Sequence, residues 1–124
     1  MLNEVPILLA EDDEFVRALS ARILRQHGYT VLESEGAREA LEIAHSSRGS
    51  IDLLLAELNM PQMSGRELGQ RFSELCPNAK VLYMSGNAEN GAGEQTGSAA
   101  PGVFLQKPFT LEALTQLVRA ILEQ

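Results

Sequence analysis

The chain has 124 residues, a single cysteine and a formal net charge of -7, with an isoelectric point near 4.8. That length suits one domain with a real core and is too short for two, and the acidic balance disfavours a nucleic-acid or anionic-membrane surface, which needs clustered Lys and Arg. One cysteine, Cys76, excludes an internal disulfide, and with no basic leader and no long apolar span the expected setting is soluble and cytoplasmic.

Residues 5–10, VPILLA, read as a first strand, followed at once by Glu11, Asp12, Asp13 and Glu14. A helix is expected next, with Phe15, Val16, Leu19, Ile23 and Leu24 on its apolar face and Gly28 just beyond its end. Tyr29 to Glu33 reads as the second strand. Gly36 to His45 reads as the second helix, with Ala37, Ala40, Leu41 and Ala44 inward, and 46–50 as a polar loop. From Ile51 to Ala56 the chain is almost unbroken in its apolarity, the composition of a central strand covered on both faces, and it ends on the carboxylate of Glu57. The following Leu58-Asn59-Met60-Pro61 must turn, because Pro61 lacks an N–H and biases Met60 away from helical angles.

Ser64 offers an N-cap oxygen with Glu67 three residues on, opening a helix that carries Leu68, Phe72 and Leu75 and stops at Cys76-Pro77-Asn78. Ala79 to Met84 is the expected fourth strand, closed by Ser85-Gly86. Five of the ten glycines lie between Gly86 and Gly102, so any fourth helix there is expected to be short and weak, in a mobile segment. Val103 to Gln106 gives a fifth strand and Lys107-Pro108-Phe109 follows. Thr110 then caps a last helix whose stripe is Leu111, Leu114, Leu117, Val118, Ile121 and Leu122.

Five strands alternating with five helical segments imply an α/β domain, a doubly wound parallel sheet with right-handed crossovers. Periodicity leaves the strand order open; 2-1-3-4-5 is one of two common choices. That order makes strands one and three neighbours and gathers Glu11, Asp12 and Glu57 at their C-terminal ends, with Ser85 and Lys107 on the same rim. Glu11 and Asp12 are hard oxygen donors suited to Mg²⁺. Lys107 is a mobile point charge able to reach a phosphoryl oxygen, and the Ser85 hydroxyl can donate to another. Taken singly, each group has an ordinary reading: the acids favour a helix N-terminus, Ser85-Gly86 is a turn, Lys107-Pro108 a loop and Phe104 core. His27 and His45 sit where helix C-termini favour a cation.

Together, the strand, acidic residue, two residues, Met-Pro, short loop and Gly of 51–65 resemble the phosphoacceptor segment of two-component response-regulator receiver domains, over essentially the whole chain as one domain, 1–124. The resemblance implies the flavodoxin-like order 2-1-3-4-5 with five helices. It implies Glu11 and Asp12 as the acidic pair and Glu57 at the phosphoacceptor position. Asn59 becomes the residue whose backbone carbonyl joins the metal set of Glu11, Asp12 and Glu57. Ser85 becomes the switch hydroxyl, Phe104 the switch aromatic and Lys107 with Pro108 the lysine motif. Mg²⁺ is the implied cofactor, and a histidine kinase or phosphotransfer protein the implied partner. The segments SGNAENG and FLQKPFTLEAL resemble receivers at the C-terminus of hybrid sensor histidine kinases.

In that family the acceptor is aspartate, whereas here it is glutamate. The extra methylene moves the carboxylate outward by roughly 1 Å, a displacement able to cost ~10²-fold where reactive geometry matters. The leading expectation is therefore a degenerate receiver, not an enzyme, in which Glu57 partly imitates an acyl phosphate. An ordinary receiver with slow chemistry at Glu57 is the runner-up. A small flavin or nucleotide binder would want a glycine- or hydroxyl-rich loop after strand one, where EDDE stands. A Mg²⁺-dependent phosphohydrolase using Asp12 or Asp13 would need a cap, for which no insertion is long enough.

Overall fold

A computed structural model describes residues 5–47, 49–85, 103–107 and 109–123. Five parallel strands, β1 (Pro6–Ala10), β2 (Thr30–Ser34), β3 (Leu53–Glu57), β4 (Lys80–Ser85) and β5 (Val103–Gln106), form one sheet in the order β2-β1-β3-β4-β5. The described helices are α1 (Glu14–Gln26), α2 (Ala37–Ser46), α3 (Gly65–Leu75) and α4 (Leu111–Leu122). The expected weak helix and mobility between Gly86 and Gly102 lie outside the described residues. Among those described, no helix is long and apolar enough to cross a membrane.

Every residue of β3 is buried, as its central place and unbroken apolar run require. Side chains alternate across the sheet and so feed two cores. Leu8, Ala10, Leu54, Ala56 and Tyr83 pack under α2 and α3 with Ala40, Ala44, Leu68 and Phe72. Ile7, Leu9, Leu53, Leu55, Leu82 and Met84 pack under α1 and α4 with Leu24, Leu114 and Val118.

Helix ends follow their local chemistry. Asp13 caps α1 by accepting from Val16 N–H, Ser64 caps α3 by accepting from Glu67 N–H, and Thr110 caps α4 by accepting from Ala113 N–H. The Glu67 carboxylate turns to Arg71 at 2.8 Å, so the box opened by Ser64 is closed on one side only. Gly28, at φ +94°, ends α1: its N–H reaches Arg25 O and that of Tyr29 reaches Leu24 O, a Schellman pattern.

Two expectations differ from what is observed. Strand limits move by one or two residues, so that Ser34 and Ser85 end strands rather than follow them, while Glu57 ends β3 as expected. On α1 the buried residues are Ser20, Ala21, Ile23 and Leu24, whereas Phe15 is 74% and Leu19 38% exposed. At 100° per residue Phe15 falls nearly opposite the line through Ser20 and Leu24, so apolarity alone misplaced that face. Leu111, on the first turn of α4, is likewise exposed.

Candidate functional site

The parallel order places the C-terminal ends of β1, β3, β4 and β5 side by side. Ala10 pairs with Ala56, Glu57 with Met84, and Ser85 with Gln106. Alternation sends Glu57 to the same side as Leu53 and Leu55, and Glu11 and Lys107 continue the parity of Leu9 and Leu105. These three side chains meet: the Lys107 ammonium lies 2.6 Å from Glu11 Oε1 and 2.5 Å from Glu57 Oε1. Both carboxylates are buried, Glu11 at 1% and Glu57 at 4% exposure.

Their second oxygens are held by the main chain. Glu11 Oε2 accepts from Asp13 N–H at 3.0 Å and Glu57 Oε2 from Asn59 N–H at 2.9 Å. Each glutamate thus folds back on the loop that follows it, which fixes its tip and leaves one oxygen facing the ammonium. Burial pushes the Glu11 carboxyl above its usual range, outweighing the Lys107 hydrogen bond that favours its anion. Burial also works against the Lys107 ammonium, but its hydrogen bonds to Glu11 and Glu57 prevail and hold it above its ordinary value.

Ser85 is buried at the end of β4, and its carbonyl accepts the Lys107 N–H at 2.7 Å. Asp12 is exposed on the loop after β1. Glu11, Glu57 and Lys107 are therefore in direct contact, Ser85 is tied to Lys107 through the backbone, and Asp12 stands outside that contact. Phe104 is displaced from the carboxylates; it stacks on Tyr83 with ring centroids 5.3 Å apart, and the Arg66 guanidinium lies 5.8 Å from its centroid.

Two contributors escaped the sequence reading. Arg17 donates to the Glu11 carbonyl at 2.9 Å and lies 3.7 Å from Glu33, pinning the loop after β1; an arginine one turn into a helix that opens on acids was the available signal. Gln62, at φ +65°, takes the left-handed conformation in the loop between Glu57 and α3, which no residue type there announced. Gly65, the glycine that closes the 51–65 motif, packs so tightly that a Cβ would fall 2.1 Å from the Glu57 carbonyl oxygen.

For Mg²⁺ the donor chemistry is suitable: two buried carboxylates with Asp12 beside them in sequence are hard oxygen donors. Among the described residues, however, no three His, Cys, Asp or Glu side chains converge as a metal cluster. The charge that offsets Glu11 and Glu57 here is the Lys107 ammonium.

The family described as response regulator receiver domain matches residues 7–119. Sensor kinase CckA of Brucella abortus (strain 2308) is 36% identical over 118 residues, covering 95% of this chain but only 12% of that kinase. Response regulator receiver protein CpdR of the same organism is 32% identical over 116 residues, covering 94% of this chain and 95% of CpdR. The crystal structure of the receiver domain from hybrid histidine kinase CckA superposes with a TM-score of 0.80 at 36% identity, covering 94% of this chain and 98% of that one. Response regulator protein TrrA of Thermotoga maritima, solved in complex with Mg(2+)-BeF, gives a TM-score of 0.81 at 25% identity over 94% of this chain and 98% of its own.

Proposed function

The chain belongs to the response regulator receiver domain family, a module of two-component signalling, and from that premise we propose that it is a degenerate receiver whose resting shape is set by Glu57 and not by a phosphorylation cycle. The observation that carries this reading is the anchoring of Glu57: buried, one oxygen against Lys107 and the other on Asn59 N–H. A nucleophile must present a lone pair in line with the phosphorus atom, and a carboxylate tip clamped on both oxygens is poorly placed to do so. The same clamp puts a negative charge on the lysine that the family resemblance assigns to a phosphoryl oxygen, which supports partial mimicry with one charge in place of nearly two.

Mg²⁺ at this rim belongs to the same proposal. Glu11, Asp12, Glu57 and the Asn59 carbonyl are the groups that would hold it, and when bound it would offset negative charge on phosphoryl oxygens. The partner is a histidine kinase or phosphotransfer protein, and output passes through protein contact; where the chain is one part of a longer kinase, as its relation to CckA suggests, that contact is intramolecular.

The test is intact mass spectrometry after incubation with Mg²⁺ and acetyl phosphate. The native chain is expected to gain no phosphoryl group, and Glu57→Asp to gain one. Rapid stoichiometric labelling of Glu57 in the native chain would sink the reading.

A further inference from the structure

Between Glu57 and the aromatic pair lies a chain of contacts with little slack. Asn59 N–H holds the Glu57 carboxylate, and Gly65 N–H donates to the Leu58 carbonyl at 2.8 Å. A Cβ on Gly65 would meet the Glu57 carbonyl oxygen at 2.1 Å, so the first turn of α3 rests directly on the backbone that carries the carboxylate. Arg66, the next residue, reaches from that turn across to β5 and covers the Phe104 ring. Phe104 stacks on Tyr83 at an interplanar angle of 28°. The Tyr83 hydroxyl enters a slot on α3 left open by Gly69, where a Cβ would come within 2.1 Å of it. Arg66 and Gly69 are three residues apart and so share one face of the helix. Arginine over one ring and glycine under the other grip the two aromatic rings from a single helix.

We propose that Arg66 is a coupling residue: it transmits a change in the charge or position of Glu57, through the start of α3, to the Phe104–Tyr83 pair. Helix α3 is a rigid element seated on Glu57 at one point and on the rings at two others, so a shift at its first turn is passed on rather than absorbed. This inference does not depend on whether Glu57 ever accepts a phosphoryl group, since any perturbation of its carboxylate serves. A rival route exists on the other side, because Lys107 touches Glu57 and lies three residues along the chain from Phe104. The two routes predict different outcomes.

The full chain is labelled with 4-fluorophenylalanine, and the Phe104 resonance is assigned among the four phenylalanines by Phe104→Leu. Glu57→Gln removes the charge at nearly constant shape, and its effect on the Phe104 fluorine shift is measured in the native background and in Arg66→Met. Because Arg66→Met alone alters the ring environment, only the response to Glu57→Gln within each background counts. Relay through α3 predicts a response reduced roughly threefold or more in Arg66→Met, partly restored in Arg66→Lys, which keeps a cation near the ring. An equal response in both backgrounds, or none in the native one, overturns the proposal; an equal response that disappears in Lys107→Met assigns the coupling to β5. Arg66 is only half-buried, so its variants are expected to fold, and melting curves verify this before the shifts are compared.

Discussion

Lys107 carries the ammonium that Glu11 and Glu57 share at the sheet's C-terminal rim, and its side chain is only 18% exposed. Removing one partner of a buried ion pair leaves the other charge unpaired, at a cost of about 3–5 kcal/mol when burial is complete. With some solvent reaching the ammonium, Lys107→Met is expected to cost about 2–3 kcal/mol at pH 7, read from urea unfolding. The sign of the pH response follows from Glu11. Burial raises its carboxyl and the Lys107 ammonium lowers it, so in Lys107→Met the folded state takes up a proton there more readily than it does in the native chain. The deficit of Lys107→Met relative to the native chain should therefore shrink as the pH falls from 7 toward the carboxylate range. Adding Glu57→Gln should recover part of the loss at pH 7. A deficit unchanged from pH 7 to pH 5 would show that the ammonium acts by packing and not by charge.

Helix α3 is the element whose details matter most, because it begins where the Glu57 loop ends and its flank holds the aromatic pair. Gly69 offers a clean test of that packing. An alanine there meets the buried Tyr83 hydroxyl, which cannot swing away without disturbing the stack with Phe104. Gly69→Ala is expected to destabilise by about 1–3 kcal/mol despite the better helix propensity of alanine, and by clearly less in a Tyr83→Phe background. Additive losses in the double variant would place the strain elsewhere. Several of these elements are legible in the amino-acid sequence. The apolar run through Leu53, Leu54 and Leu55, the Ser64 cap and the acid, hydroxyl and lysine at successive strand ends are local patterns that tertiary packing merely uses. The exposed side of α1 is not legible in the same way, since Phe15 and Leu19 look like core residues until the small Ser20 and Ala21 are seen to face the sheet. Contacts such as Arg66 on Phe104, or Tyr83 over Gly69, join residues on separate elements, and no spacing along the chain encodes them.

At the scale of the whole molecule, the doubly wound order could be chosen only with help from family resemblance, because strand patterns of period two do not state which strands are neighbours. The contact of Glu11, Glu57 and Lys107 then follows from that order, whereas Asp12 stands exposed and Phe104 packs apart from it on Tyr83. Among the described residues, two groups on different sides of the sheet are expected to shape the pH dependence at the alkaline end. Burial raises the Tyr83 phenol above 10.0, outweighing the nearby Arg66 charge, and the carboxylates hold Lys107 above 10.5 against the opposing effect of burial. In the unfolded chain Tyr83 ionises from about pH 10.0 while the fold keeps it neutral. Unfolding then releases a proton, and stability falls as the pH rises through that window. Lys107 loses its proton near 10.5 when unfolded but later when folded, so its contribution is complete below 10.5 and disappears as the pH rises through its folded value. Urea midpoints measured between about pH 8 and pH 12 should decline in two overlapping stages. Tyr83→Phe should delay the first stage and Lys107→Met flatten the second, each leaving the other in place. A single decline, unaffected by either substitution, would mean that general charge repulsion in this acidic chain governs the alkaline limit instead.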